Sequence, residues 1–434
     1  MSDSIRTVLG IRYAEPVTGA RRFGAPVPVA GIERVPGDGF GPAAWQPPHP
    51  DHPMGDDCLT LNIWAPASDR PLPVLVWIHG GGYIGGTARQ PELDGAELAV
   101  ACEAVVVAVQ YRLGAWGFLD LRSEVEDAVA NAGLLDVIAA LDWVRRNIGG
   151  YGGDPERIAV DGASAGAGIV GALLAAPSAH GRFHAAIMQS PPLATVQSAR
   201  EAAAEAARFV DLVGEDPRTA PPETLVEAQH RLALDVAQRR PGVLVCSPVV
   251  DGALLSASPE RVLAAGRGAP VPVLGMWNTD EGTAFREDPV IRTDAAALER
   301  LTGRSADDLR ADHPGWPDDA SRAVVATDAY FSGPLRRALA GQARVAPTWL
   351  ARFAHRTPAL DALGVGATHS AEGPFLFGNL DAAAWAIVAP AGPSADDRRI
   401  MTEMRHIWRR FLHEGSAGWE PLEPRVDAPE HVIG

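Results

Sequence analysis

The apolar residues of this chain fall in short unbroken runs rather than in alternation with polar ones. Pro73-Val74-Leu75-Val76-Trp77-Ile78 is the clearest, and it leads through His79 into three glycines. Ala104 to Val109, Arg157 to Val160, Ala185 to Met188 and Val271 to Leu274 are similar. Runs without period-two alternation suit strands covered on both faces, as in parallel sheets. Between them lie stretches of helical spacing, Asn131 to Asn147 and Ala165 to Ala176. Strands that alternate with helices predict an α/β fold with a large, mostly parallel central sheet flanked by helices. Two regions break the rhythm: 198–240, rich in Ala, Glu and Arg, and 288–344, helical and acidic. Both read as helical additions over the strand ends, in part a cap, on one domain spanning 1–434. No Gly/Ser linker, charge run or internal repeat divides the chain. The patch Gln46-Pro47-Pro48-His49-Pro50 reads as surface loop.

Composition narrows the function. The 434 residues exceed the roughly 250–300 at which one hydrophobic core stops growing, which suits a large enzyme fold with insertions. Acids outnumber bases 54 to 38, a net charge of −16 that repels phosphate backbones and anionic lipid. Neither nucleic acid nor membrane is expected as a partner. All 38 basic residues are Arg, so Schiff-base and pyridoxal chemistry and the P-loop lysine are excluded. Cys58, Cys102 and Cys246 lack CxxC spacing and are expected to be reduced, buried thiols. Met1–Arg6 has no apolar run behind its charge, and no segment approaches about 18 apolar residues, so a cytoplasmic protein is expected. No motif calls for a cofactor or a metal.

Two motifs carry chemistry. Gly162-Ala163-Ser164-Ala165-Gly166 fits G-x-S-x-G, directly after the run Arg157–Asp161 and before a small-residue helix. A sharp strand-to-helix turn forces the serine backbone into a strained conformation and crowds its neighbours, hence the flanking glycines. The Ser164 hydroxyl then stands at a helix N-terminus, where developing negative charge is favoured. The competing reading is a Gly/Ala-rich helix start with an incidental serine cap. The second motif, His79-Gly80-Gly81-Gly82-Tyr83, ends the Trp77 strand. Acyl transfer needs N–H donors aimed at an oxyanion, and glycines let the backbone approach that closely. With the Ala165 N–H, the donors would be Gly81 and Gly82; the competing reading is a tight turn.

At these residues the chain resembles the type B carboxylesterase family, the cholinesterase-like branch of the α/β-hydrolases, and within it the bacterial para-nitrobenzyl-esterase type. Gly10–Ala14, Asp57–Trp64, His79–Tyr83, Tyr111–Phe118, Asn131–Asp136, Trp143–Ile148 and Gly152–Pro155 match in order. Val250-Asp251-Gly252, Asp280-Glu281-Gly282, His369 and Trp408 to Trp419 follow, so the resemblance covers most of the chain.

The resemblance implies an α/β-hydrolase fold and a triad of Ser164, Glu281 and His369. The acid sits in an Asp-Glu-Gly turn, with Asp280 as its rival, and the base precedes Pro374-Phe375-Leu376-Phe377-Gly378. It further implies that Ser190 lies near the acid and base, against the plainer reading of a strand-end serine, and that Glu372 matches another family acid. Ala163 departs from the family, which usually has Glu there; this argues against choline-type esters. Cys58 has no upstream cysteine to pair with, and Ser190 is followed by Pro191-Pro192 in place of a Gly. Tyr83, Trp277 and Phe285 are pocket candidates, although aromatic residues more often lie in the core. The implied activity is hydrolysis of small to medium neutral carboxylic esters, a small-molecule substrate, through an acyl-enzyme. An acyltransferase or lactone-forming or lactone-opening enzyme with the same triad, and a non-catalytic binding protein, are the alternatives.

Overall fold

The computed structural model describes residues 5–36, 39–49, 52–379 and 382–434; Met1 to Ser4 and Pro50, on which two expectations above partly rest, lie outside them. Among the described residues twelve strands run in chain order: β1 Ile5–Ala14, β2 Pro28–Arg34, β3 Thr60–Pro66, β4 Leu72–Ile78, β5 Val105–Val109 and β6 Gly153–Ala163. β7 Ala185–Gln189, β8 Gln197–Ser198, β9 Val249–Val250, β10 Val273–Asn278, β11 Thr348–Phe353 and β12 His431–Ile433 follow. Ten of them form one sheet in the order β12-β11-β10-β7-β6-β4-β5-β3-β1-β2. From β12 to β5 the neighbours are parallel; β3, β1 and β2 extend the sheet antiparallel. The expected mostly parallel α/β sheet is present.

Burial explains the unbroken apolar runs. Every residue of β4 and β5 is buried. Val74, Val76 and Ile78 join the core on one face with Val107, Val160 and Met188. Leu75 and Trp77 join the other with Val106, Ile187 and Met276. Helices Ala132–Asn147 and Ala165–Ala175 cover the first face, and the long helix Ala395–Glu414 covers the second.

The two regions outside the rhythm contain helices. Ala199–Val213 and Pro222–Arg239 form one helix pair. Within 288–344 lie helices Ala295–Thr302, Ala306–Asp312, Asp319–Thr327 and Gly333–Gln342. This second region has a small apolar cluster of its own around Leu298, Leu309, Trp316 and Phe331. The three cysteines are free and buried. Among the described residues no helix is long and apolar enough to cross a membrane.

One buried ion pair ties the first sheet face together. Arg112, just after β5, binds both carboxylate oxygens of Asp136 at 2.8 and 2.6 Å, with side chains 1% and 0% exposed. Its remaining nitrogen donates to the Gly24 carbonyl at 2.6 Å, which pins the N-terminal segment to helix Ala132–Asn147. Removing one partner of such a pair strands a charge in the core. Arg112→Ala should therefore cost about 3–5 kcal/mol in a urea unfolding experiment. Arg112→Met combined with Asp136→Leu should recover most of that loss; a double variant no better than the single one would refute this account.

Candidate active site

β6 ends at Ala163 and the next helix begins at Ala165, so the chain reverses its geometry at one residue. Ser164 has φ 54° and ψ −124°, a conformation that L-residues rarely adopt. It is held from both sides: its N–H donates to the Gln189 carbonyl at 2.8 Å, and its own carbonyl accepts from Gly168 N–H at 2.9 Å. A methyl carbon at Gly166 would lie 2.0 Å from the Ile78 carbonyl oxygen, and one at Gly162 would lie 2.6 Å from the Gly166 backbone. Only glycine lets the helix start this close to the end of β4.

The hydroxyl of Ser164 lies 2.8 Å from His369 Nε2, and His369 Nδ1 lies 2.5 Å from Glu281 Oε2. His369 thus joins a serine on β6 to a carboxylate in the turn after β10. Glu281 is fully buried; its other oxygen accepts from the Ser190 hydroxyl at 2.5 Å and the Asn278 N–H at 2.7 Å. With both oxygens occupied, the carboxylate faces the imidazole in one orientation. Asp280, the rival acid, instead pairs with Arg356 at 2.7 Å and accepts from Ala367 N–H, away from the imidazole. Burial disfavours the imidazolium, but the charge and hydrogen bond of Glu281, with the charge of Glu372, outweigh it and raise the His369 pKa above its ordinary 6.5.

Gly80, Gly81, Gly82 and Ala165 line the same cavity as Ser164. Ala165 is the first residue of its helix, where N–H groups have no intrahelical acceptor. Gly81 has φ 117°, and a methyl carbon there would lie 2.2 Å from the Gly85 carbonyl oxygen. His79 anchors this loop from below. Burial lowers its pKa to about 4, so the ring is neutral near pH 7, and its Nδ1 lies 2.9 Å from the Gly80 carbonyl, which it reaches as a donor. Tyr111 stacks on that ring at 4.5 Å and donates its hydroxyl to the His79 carbonyl at 2.7 Å.

The cavity holds about 830 Å³, and its wall is mostly apolar: Ile84, Leu93, Leu244, Val245, Ile291 and Val388 contribute. Of the three aromatic candidates, Phe285 is part of it, 5.1 Å from the His369 ring between centroids. Tyr83 is not. It is 1% exposed, packs on Phe118 at 5.0 Å, and presses its hydroxyl against Gly168 in the sheet-covering helix. Trp277 is not either: its indole N–H donates to Glu430, and the guanidinium groups of Arg336 and Arg352 lie over its ring. Alternation along β10 explains this, since it is Asn278 whose side chain reaches the carboxylate cluster. That residue escaped the sequence reading, as did Tyr330 and Phe331, which line the cavity from the helical region after Glu281.

Ala163 and Glu372 both border the cavity. Asn278 Nδ2 donates to Glu372 at 2.5 Å and to the Thr368 carbonyl at 2.8 Å, which ties the His369 loop to β10. Burial and the neighbouring Glu281 charge raise the Glu372 pKa. Beneath them, Asp161 on β6 accepts from Trp408 Nε1 and Gln189 Nε2 at 2.7 and 2.8 Å, and burial pushes it up to about 7. Among the described residues no group of three or more His, Cys, Asp and Glu is placed to hold a metal ion.

Comparison with known proteins shows the family of the chain. The sequence profile described as the carboxylesterase family matches residues 1–313. The chain is 34% identical to the para-nitrobenzyl esterase of Bacillus subtilis (strain 168) over 435 residues, covering 95% of this chain and 87% of that one. It is 32% identical to the fumonisin B1 esterase of Sphingopyxis macrogoltabida, covering 96% of this chain and 80% of that one. A solved thermophilic para-nitrobenzyl esterase superimposes with a TM-score of 0.85 at 33% identity, over 100% of this chain and 91% of that one.

The electrostatics of His369 can be read directly. The imidazole should titrate above 6.5 by NMR, and Glu281→Gln should move that midpoint down, because the substitution removes the charge that favours the imidazolium. A midpoint unchanged in Glu281→Gln would show that the carboxylate does not hold the ring.

Proposed function

The chain belongs to the carboxylesterase family and is a carboxylic ester hydrolase, and from that premise we propose that Ser164, His369 and Glu281 carry the reaction on neutral esters through an acyl-enzyme. The observation behind this is the unbroken contact from Ser164 Oγ through the imidazole to a buried carboxylate at 2.8 and 2.5 Å.

Ser164 Oγ attacks the ester carbonyl as His369 Nε2 takes its proton. The imidazolium that forms keeps its Nδ1–H on Glu281, which stabilises the cation and fixes the ring. The tetrahedral oxyanion lies between the N–H groups of Gly81, Gly82 and Ala165; losing one such donor typically costs about 2.7–4 kcal/mol of transition-state binding. As the intermediate collapses, His369 returns the proton to the leaving alcohol oxygen and the acyl group stays on Ser164. Water then attacks the acyl carbonyl, its proton passes to His369, and collapse returns that proton to Ser164 as the carboxylic acid departs. The Ser190 hydroxyl and Asn278 N–H orient Glu281 throughout, and Glu372 adds a second negative charge in support of the imidazolium.

The substrate class follows from the wall. Among the described lining residues the carboxylates are Glu92, Asp288 and Glu372 and the imidazoles His230 and His369, with no arginine. A substrate carboxylate would enter beside these carboxylates with no guanidinium to pair with, against a protein of net charge −16. The apolar volume suits uncharged acyl and alcohol groups of medium size.

Ser164→Ala should reduce p-nitrophenyl butyrate turnover by roughly 10⁴–10⁶-fold with the fold intact; retained turnover would remove Ser164 from the mechanism. Only neutral His369 accepts the serine proton, and its pKa is raised, so kcat/KM should fall with acid through a midpoint above pH 6.5. A midpoint at or below 6.5 would contradict that assignment. Monoethyl succinate should be a poorer substrate than diethyl succinate by at least about tenfold in kcat/KM above pH 7, where it is a monoanion. Equal rates would refute the neutral-ester reading.

A further inference from the structure

The cluster that fills the second sheet face is apolar, with Leu75, Trp77, Ala159, Ile187, Met276 and Trp408 among its members. One carboxylate is set into it. Asp161 on β6 has no exposed surface, and both of its oxygens are taken by neutral donors, Trp408 Nε1 at 2.7 Å and Gln189 Nε2 at 2.8 Å. Its titratable neighbours are Glu372 and the Cys102 thiol, and neither brings a positive charge. A buried acid without a counter-ion costs stability, and an apolar residue of similar volume would serve such a cluster better. The acid is therefore not explained by packing.

What Asp161 holds is the end of β7. Gln189 is the last residue of that strand and lies opposite Ala163 on β6. Its side-chain oxygen has no hydrogen-bond partner among the described residues, so it is Asp161 that orients the amide. The Gln189 carbonyl accepts the Ser164 N–H at 2.8 Å. The next residue, Ser190, has φ 52°, donates its N–H to the Met276 carbonyl at 2.7 Å and its hydroxyl to Glu281 at 2.5 Å. Two residues in unfavourable backbone conformations, Ser164 and Ser190, thus meet at the backbone of Gln189. One carries the nucleophile and the other holds the acid. A rotation at Gln189 would move both relative to His369.

We propose that Asp161 is a positioning residue for the hydrolysis: by fixing the Gln189 side chain it sets the Ser164 hydroxyl against the imidazole that Glu281 holds. This deepens the hydrolase reading above and rests on it. Asp161 acts only through Gln189. Trp408, from the helix Ala395–Glu414, closes the unit from the other side by binding the second oxygen. A displacement of about 1 Å in an arrangement of this kind costs on the order of 100-fold in rate.

The experiment measures kcat and KM for p-nitrophenyl butyrate, together with urea unfolding, with Ser164→Ala as the blank. The variants are Gln189→Met, Gln189→Glu and the triple variant Asp161→Leu/Gln189→Met/Trp408→Phe. Gln189→Met should lower kcat by about tenfold or more with KM within about twofold of wild type. The triple variant replaces the whole polar unit with apolar side chains, so its urea midpoint should rise above that of Gln189→Met while kcat stays low. A kcat that recovers together with the midpoint would overturn the proposal, because the unit would then be purely structural. A folded Gln189→Met with kcat within about twofold of wild type would overturn it too. Gln189→Glu gives an independent reading. While protonated, the new carboxyl donates to Asp161 as the amide does; once ionised it repels it, and two carboxylates this close share one proton. The ratio of its kcat to that of wild type should therefore fall by about fivefold or more from about pH 6 to about pH 9, with circular dichroism showing the fold intact. A flat ratio would overturn the proposal, and this arm decides it where the other variants do not fold. Wild-type protein without Ser164-dependent hydrolysis would instead refute the parent reading, so the two failures are distinct.

Discussion

The site depends on one constraint: the chain must pass from β6 into a helix at a single residue. That requirement places Ser164 at φ 54°, and the surroundings exist to make the conformation tolerable. Glycines at 162 and 166 remove the side chains that would collide with the turn and with the end of β4. Hydrogen bonds to the Gln189 carbonyl and from Gly168 hold the residue on both sides. Asp161, three residues upstream, is braced by Trp408 from the C-terminal helix and by Gln189 from β7, so the strand that carries the strain is tied laterally to its neighbours. A sheet buried on both faces gives such a turn a rigid base.

The second structural demand is electrostatic. Glu281 is a carboxylate with no exposed surface, and burying a charge is tolerable only when its oxygens are fully engaged. Ser190, the Asn278 N–H and His369 provide that engagement. The same contacts that make the buried charge affordable also orient the imidazole toward Ser164. Stability and chemistry therefore share one set of hydrogen bonds. The His79–Tyr111 stack plays a parallel part under the glycine loop, where a neutral ring supports backbone donors without adding a competing charge.

The parts of the site legible in the sequence are those where covalent geometry leaves few choices. Unbroken apolar runs mark the parallel strands, and paired glycines around a serine mark the turn. Glu281 and His369 were reached through resemblance, since nothing in their local spacing shows that residues 88 apart in the chain will meet. Tyr83 and Trp277 illustrate the opposite case. Both stand next to motif residues, yet the direction of a side chain depends on strand alternation and loop path, and both point away from the cavity. Phe331 was hidden for a related reason. Gly333-Pro334 inside a helical stretch signals a break, but which rings the break turns inward is decided by packing against the Glu281 turn.

Ala163 is one place where the chain departs from the pattern it resembles, and the structure gives that departure a physical meaning. A carboxylate at position 163 would add a fourth buried acid to a neighbourhood that already holds Glu281, Asp161 and Glu372, the last two with pKa values raised first by burial. Like charges in so small a volume cannot all remain ionised. With alanine there, Glu372 keeps its hydrogen bond to Asn278 and its influence on His369 without a carboxylate rival on β6 next to Ser164. The cavity gains space rather than charge at its floor. That fits a cavity whose wall is mostly apolar and, among the described residues, without arginine.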